Sequence, residues 1–216
     1  MKKNFFRIAL IVMVGGLMMA SSSCKKGEND PSISLRSRTA RLAGEWSLSA
    51  KDYKETSISD NSSTTRTVTY DGTILTTVTV RKYKDSWTGN DTTVTDTQTD
   101  SYSDNLTINK DGSFTRETLY GSTRTNYEGN WMWMKGNSEQ ELKNKQTIVL
   151  STTKYTHVDG DGNTSYHNES GKSNFSNIIV IDRLANKEMV FLYDTKYSDD
   201  GGYSSTSSGT ATYTQK

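Results

Sequence analysis

Cysteine occurs once in this chain of 216 residues, at Cys24, and histidine twice, at His157 and His167. The two histidines flank a polar tip, DGDGN at 159–163. In a hairpin register that sets Val158 opposite Tyr166, the two imidazoles face each other and, with Glu169, could hold a metal. A slip of one residue separates them, and a pair of exposed hairpin histidines is the simpler reading. Asp159, Asp161 and Asn163 follow the D-x-D-x-N opening of a calcium loop. Such a loop then wants glycine sixth and glutamate twelfth, where this chain has Thr164 and Ser170, so the segment reads as a turn. No serine lies in a G-x-S-x-G elbow, and no glycine-rich phosphate loop occurs. Glu117, Glu128 and Glu188 fall in or near expected strands, and a carboxylate pair could hydrolyse a glycoside without any motif. Nothing in their spacing singles them out. The sequence therefore nominates no catalytic residue, no metal ligand and no cofactor, and reads as a non-enzyme.

Aromatic side chains are the other candidates. Trp87, Tyr127, Trp131 and Trp133 could stack on a sugar or line an apolar pocket. Tyr127, Trp131 and Trp133 recur at a spacing of two, which also suits a core-facing strand. Trp87 stands in a polar stretch, as a loop anchor or an exposed contact.

The amino terminus carries an address. Lys2, Lys3 and Arg7 precede an apolar run, Ile8 to Ala20, that has the length of a signal-peptide core and is short for a bilayer span. Ser21, Ser22, Ser23 and Cys24 follow. This resembles a bacterial lipobox, in the SSSC-Lys form seen in the Bacteroidetes, with Ser21 where the usual box has leucine. The resemblance implies a signal peptide over 1–23, lipid attachment at Cys24, and anchoring in the cell envelope, as an outer-membrane lipoprotein facing the periplasm or the cell surface. Residues 24–38 are polar and read as a tether. The chain holds 26 basic residues. Less the three in the signal, 23 face 25 acidic ones. No basic stripe remains for a nucleic acid.

The elements that must position these residues are strands. Only 31% of the chain is hydrophobic, and proline occurs once, at Pro31. Threonine, stiff at its branched Cβ, is abundant and favours a pleated surface. Leu42 and Trp46 are four apart and suit a short helical turn, after which Trp46, Leu48 and Ala50 should share a strand face. Residues 51–66 read as a hairpin arm or a loop, and 84–101 as a long loop or a protruding hairpin. Asp71-Gly72 marks a turn. At Asn109 to Ser113, a three-residue loop with a glycine bulge would pair Ile108 with Phe114, whereas a two-residue turn would pair Ile108 with Thr115. The first keeps both apolar side chains on one face. Residues 135–145 read as a charged loop. Phe175–Ile181, Met189–Tyr193 and Tyr203–Tyr213 complete the series.

Gly44-Glu45-Trp46, at the opening of the domain, resembles the Gly-Xaa-Trp motif with which lipocalin and lipocalin-like chains begin their first strand. The likeness implies an all-β domain over 39–216: an antiparallel up-and-down barrel of about 8–10 strands behind a short helical turn, with the tryptophan packed across its closed end. It also implies non-catalytic binding of a small apolar or amphipathic ligand, or of a glycan. A barrel filled by its own side chains would instead suit an interaction with another envelope protein. A hydrolase with an unrecognised carboxylate site is the third possibility.

Overall fold

The computed structural model describes residues 29–30, 36–85, 87–134, 146–168 and 175–216. Among these residues one short helix, α1 (Arg38–Leu42), leads into eleven strands. These are β1 (Gly44–Ser59), β2 (Ser62–Tyr70), β3 (Ile74–Lys84), β4 (Asp91–Ile108), β5 (Ser113–Tyr120) and β6 (Thr123–Trp133). Then follow β7 (Gln146–Val158), β8 (Thr164–Asn168), β9 (Phe175–Leu184), β10 (Glu188–Ser198) and β11 (Ser204–Gln215). All pairings are antiparallel, and the sheet closes through β6–β7 at one seam and β1–β11 at the other. The result is a closed antiparallel β-barrel, as the lipocalin-like reading implies.

The barrel is narrower at one end. There β1 pairs directly with β4, Trp46 opposite Leu106, and β2 and β3 do not take part. Farther along, β2 and β3 wedge between β1 and β4. At the wide end the wall also parts. β10 pairs with β9 only from Met189 to Leu192, and beyond that β10 keeps β11 alone. Among the described residues the barrel is thus shut at one end and open, with a lateral gap, at the other.

The shut end holds the core. Trp46, Leu42, Ile148, Leu184 and Met189 are fully buried, with Leu106, Ile108, Phe114, Leu150 and Ile181 close behind. Helix α1 caps this end. Ser37 caps the helix through Ala40 N–H, and the Trp46 indole N–H donates to the Leu42 carbonyl at 2.8 Å. That bond, rather than a shared helical face, joins the two residues four apart. Asp30 is buried here too. It accepts hydrogen bonds from Arg41, Gln146 and the Leu184 backbone.

Three bulges set which side chains face inward. An extra residue at Ser49 breaks the alternation of β1, so Trp46 and Leu48 face in and the next inward residues are Lys51 and Tyr53. Ala50, expected beside Leu48, is exposed for this reason. An extra residue at Thr153 does the same in β7, so that Ile148, Leu150 and Thr152 are followed inward by Tyr155 and His157. A third irregularity, between Val190 and Phe191 against β9, keeps Ile181 opposite Phe191. A bulge shifts alternation by one, which no periodicity of apolar residues announces. The hairpin register with Ile108 opposite Phe114 is the one found. The stretch 84–101 is mostly strand: after a tight turn at Asp85–Asn90, β4 runs without interruption from Asp91. Its threonines pair with β3.

Candidate functional site

The inner face is a tyrosine face. Of the twelve tyrosines, only Tyr166 and Tyr203 lie off the strand faces that look into the barrel or continue its interior toward the mouth. Sequence reasoning picked out Tyr127 alone. The signal for the others was present, since most stand within threonine-rich alternating stretches. The bulges hid which face they take.

Where the solid core ends, a cavity of about 400 Å³ opens, lined by Phe114, Arg116, Tyr127, Leu150, Thr152, Tyr155 and Asn177. These residues come from β5, β6, β7 and β9 and stand opposite one another in register: Arg116 across from Tyr127, Tyr127 from Tyr155, Leu150 from Asn177. Phe114 and Leu150 form the floor. The Phe114 ring can lie there because the facing position in β6 is Gly129, where a Cβ would meet Ser151 O at 2.0 Å and Phe114 Cε1 at 2.9 Å. Tyr127 and Tyr155 lie 5.4 Å apart at 58°, and the His157 ring stacks nearly parallel on Tyr155 at 6.3 Å. His157 Nδ1 pairs with Thr125 Oγ1 at 3.1 Å.

Arg116 is held by Asp104 of β4 through two bonds, Nε to Oδ1 at 2.9 Å and Nη2 to Oδ2 at 2.5 Å. Asp104 also accepts from Tyr213 Oη at 2.9 Å and Tyr102 Oη at 3.4 Å. The pair is asymmetric: the Asp104 side chain is 2% exposed and that of Arg116 28%, on the cavity side. Burial is the largest single influence and opposes the charge on Arg116, but the Asp104 carboxylate and the Tyr213 and Tyr102 phenols together outweigh it and hold the guanidinium more firmly protonated. The Tyr213 and Tyr102 phenols are pushed well up, by burial first and by Asp104 second.

A second cation, Lys51, faces the barrel interior from β1, outside the lining of this cavity. Lys51 Nζ lies 5.4 Å from the Tyr53 ring and 5.3 Å from the Tyr193 ring, and these rings meet edge to face at 5.2 Å. They can touch across β11 because the residue between them is Gly209, at φ +144°, where a Cβ would meet Asp52 O at 2.1 Å. Burial lowers the Lys51 pKa, and the nearby charge of Arg116 lowers it further; Asp104 works in the opposite direction.

The structure brings only one of the nominated aromatic residues to this cavity. Trp131 is buried at the shut end, its indole N–H donating to Asn109 O at 2.8 Å. Trp133 packs edge to face on Trp131 at 5.8 Å, donates to Thr39, and carries the Arg38 guanidinium 3.9 Å above its ring. Trp87 lies at the β3–β4 tip and is 95% exposed. Cys24 and Glu169 lie outside the described residues, as does the expected charged loop at 135–145.

The two histidines do not face each other. His157 stands opposite Ser165 and His167 opposite Tyr155, because Val158 pairs with Thr164. Among the described residues no group of three metal-ligating side chains forms. Asp159 is occupied by its own turn, accepting from the Asp161 and Asn163 backbones and from the Asn163 amide. A second hollow, of about 430 Å³, lies at the far tips among Asp60, Asn61, Lys82, Lys84 and Asp91. Its charged side chains are all exposed. Comparison of the chain with protein-family models, curated proteins and solved structures found no match to any.

Proposed function

We propose that the chain is a cell-envelope lipoprotein, anchored through a lipid on Cys24, whose barrel binds a small amphipathic molecule or a glycan without transforming it. The observation that carries the binding half is the cavity at the mouth, where tyrosine rings and an apolar floor meet the open edge of Arg116. Ligand pockets combine these features: mostly aromatic and apolar walls with a few placed polar groups. The anchoring half rests on the basic start, the apolar run Ile8–Ala20 and the single cysteine that follows it.

One structural feature fits that anchoring. Asp30, six residues beyond Cys24, is buried at the shut end. Six residues span at most about 20 Å. A lipid on Cys24 would therefore hold the shut end near the membrane and turn the mouth away from it.

The solid packing of the shut half supports a second reading, in which the barrel is mainly a scaffold and its polar tips meet another envelope protein. Native mass spectrometry of the protein isolated from its own host separates the two. A reproducible bound mass of a few hundred daltons supports the binding reading, and its consistent absence favours the scaffold. Fractionation of cells carrying Cys24→Ala tests the anchor. The variant should leave the membrane fraction, and its unchanged retention there would show the anchoring reading to be wrong.

A further inference from the structure

We propose that the cavity selects a compact, ring-bearing carboxylate, an acidic sugar of the hexuronate class, with Lys51 and Arg116 receiving the carboxylate and the Tyr127 and Tyr155 rings covering the sugar. This rests on the binding reading above and narrows it.

The charge balance of the interior comes first. Asp104 already accepts two bonds from Arg116 and one each from Tyr213 and Tyr102. A carboxylate offers about four acceptor sites, so Asp104 is saturated. Lys51 makes no ion pair within 4.0 Å among the described residues, and its neighbours are the Tyr53 and Tyr193 rings. Arg116 gives Nε and Nη2 to Asp104, which leaves Nη1 on the opposite edge of the guanidinium. Arg66 and Glu55, directly opposite each other on β2 and β1, offset one another, so against the committed Asp104 carboxylate Lys51 and Arg116 leave one positive charge for a ligand to match. A planar guanidinium edge and a mobile ammonium suit a carboxylate well.

Shape comes second. Below Phe114 and Leu150 the interior is closed by Leu106, Ile108, Ile148 and Trp46, all at most 2% exposed. No channel continues downward for a long hydrocarbon chain, so the ligand must be short and broad. The walls then offer what a sugar uses: ring faces at Tyr127 and Tyr155, with the exposed Asn177 amide for its hydroxyls. Aromatic faces stack on the C–H side of sugars while polar neighbours take the O–H groups.

The test is calorimetric titration of the full-length protein in detergent with three probes: a glucuronate-ended disaccharide, its neutral glucose-ended counterpart, and dodecanoate. The uronate should bind most tightly. Lys51→Met should weaken it by about tenfold or more, the loss of one charge-assisted contact. Lys51→Arg should restore most of that loss, and the neutral sugar should not respond to either change. Near-ultraviolet circular dichroism of both variants verifies that the barrel is intact. Equal affinity for the acidic and neutral sugars, or a preference for dodecanoate, would overturn the acidic-sugar inference and leave the pocket standing. Failure of all three probes to bind would overturn both the inference and the binding reading beneath it.

Discussion

Asp30 and Arg41 form an ion pair, Oδ2 to Nη2 at 3.1 Å, in which neither side chain reaches solvent. The same Asp30 oxygen takes the Gln146 amide, and Oδ1 takes the Leu184 backbone N–H. Arg41 completes the ring by donating to the Leu184 carbonyl. One carboxylate thus ties the amino-terminal segment to α1, β7 and β9, all at the shut end. Removing one partner strands the other's charge away from water, which costs far more than the pair contributes when whole.

Asp30→Ala should therefore lower the unfolding free energy by about 3–5 kcal/mol. Urea denaturation measures it. A chain that begins at residue 36 should lose a similar amount, since it lacks the same carboxylate. A chain that begins at residue 29 should keep its stability.

The Asp104–Arg116 pair should behave as a unit. Asp104→Asn should cost about 3 kcal/mol, and Tyr213→Phe about 1 kcal/mol for one lost hydrogen bond. Because both disturb the same Tyr213–Asp104 hydrogen bond, the double variant should cost less than the sum of the two. Additivity in a denaturation cycle would show the two side chains to be energetically separate.

Alkaline pH should expose the same network. The Tyr213 and Tyr102 phenols are held well above their ordinary value, burial being the larger cause and Asp104 the next. In the unfolded chain a tyrosine ionises near pH 10. Above that pH the unfolded state sheds protons that the folded state retains, so stability is complete below about pH 10 and falls as pH rises toward the folded values. Midpoints of thermal unfolding between pH 9 and 11.5 should show this fall, and Tyr213→Phe should flatten it.

Lys51 should report a conflict between stability and purpose. Its charge is disfavoured by burial and by Arg116. Lys51→Met keeps the packed stem and removes the charge, so the denaturation midpoint should rise at neutral pH. A fall would mean that the ammonium's contacts with Tyr53 and Tyr193 outweigh its desolvation.

Gly129→Ala should be strongly damaging to the barrel wall. The added methyl would meet backbone at 2.0 Å and the Phe114 ring at 2.9 Å. Relief requires parting β6 from β7, and the cost should be about 3 kcal/mol, read from chemical denaturation.

Much of this architecture could be read from the chain. The Asp-Gly turns, the alternation of Ile74 to Val80 and the pairing of Ile108 with Phe114 are local consequences of side-chain type, and the structure has them. What the chain hid was non-local. Ala50 lies on the outer face because of the bulge at Ser49, and Tyr155 faces inward because of the one at Thr153. Lys51 and Arg116 are far apart in sequence and look like ordinary surface residues until the Ser49 bulge and the barrel closure bring them to one interior. Asp30 reads as part of a polar tether because its partners Gln146 and Leu184 lie more than a hundred residues away. Residues 84–101 read as a long loop or a protruding hairpin because 91–101 are themselves almost all threonine, serine and aspartate, and only their pairing with β3 makes them strand.

The pairing of β1 with β11, which sets Trp46 beside Gln215, joins the first strand of the domain to the last. Contacts this distant in sequence fold slowly, because the whole intervening chain must be drawn in before they form. A barrel sealed in this way cannot close before its last strand is available. Its opening strand has to wait, unpaired on one edge, until β11 is present to cover it. The molecule must therefore spend its early life as a threonine-rich, incompletely closed sheet, at risk of pairing with a neighbour of its own kind.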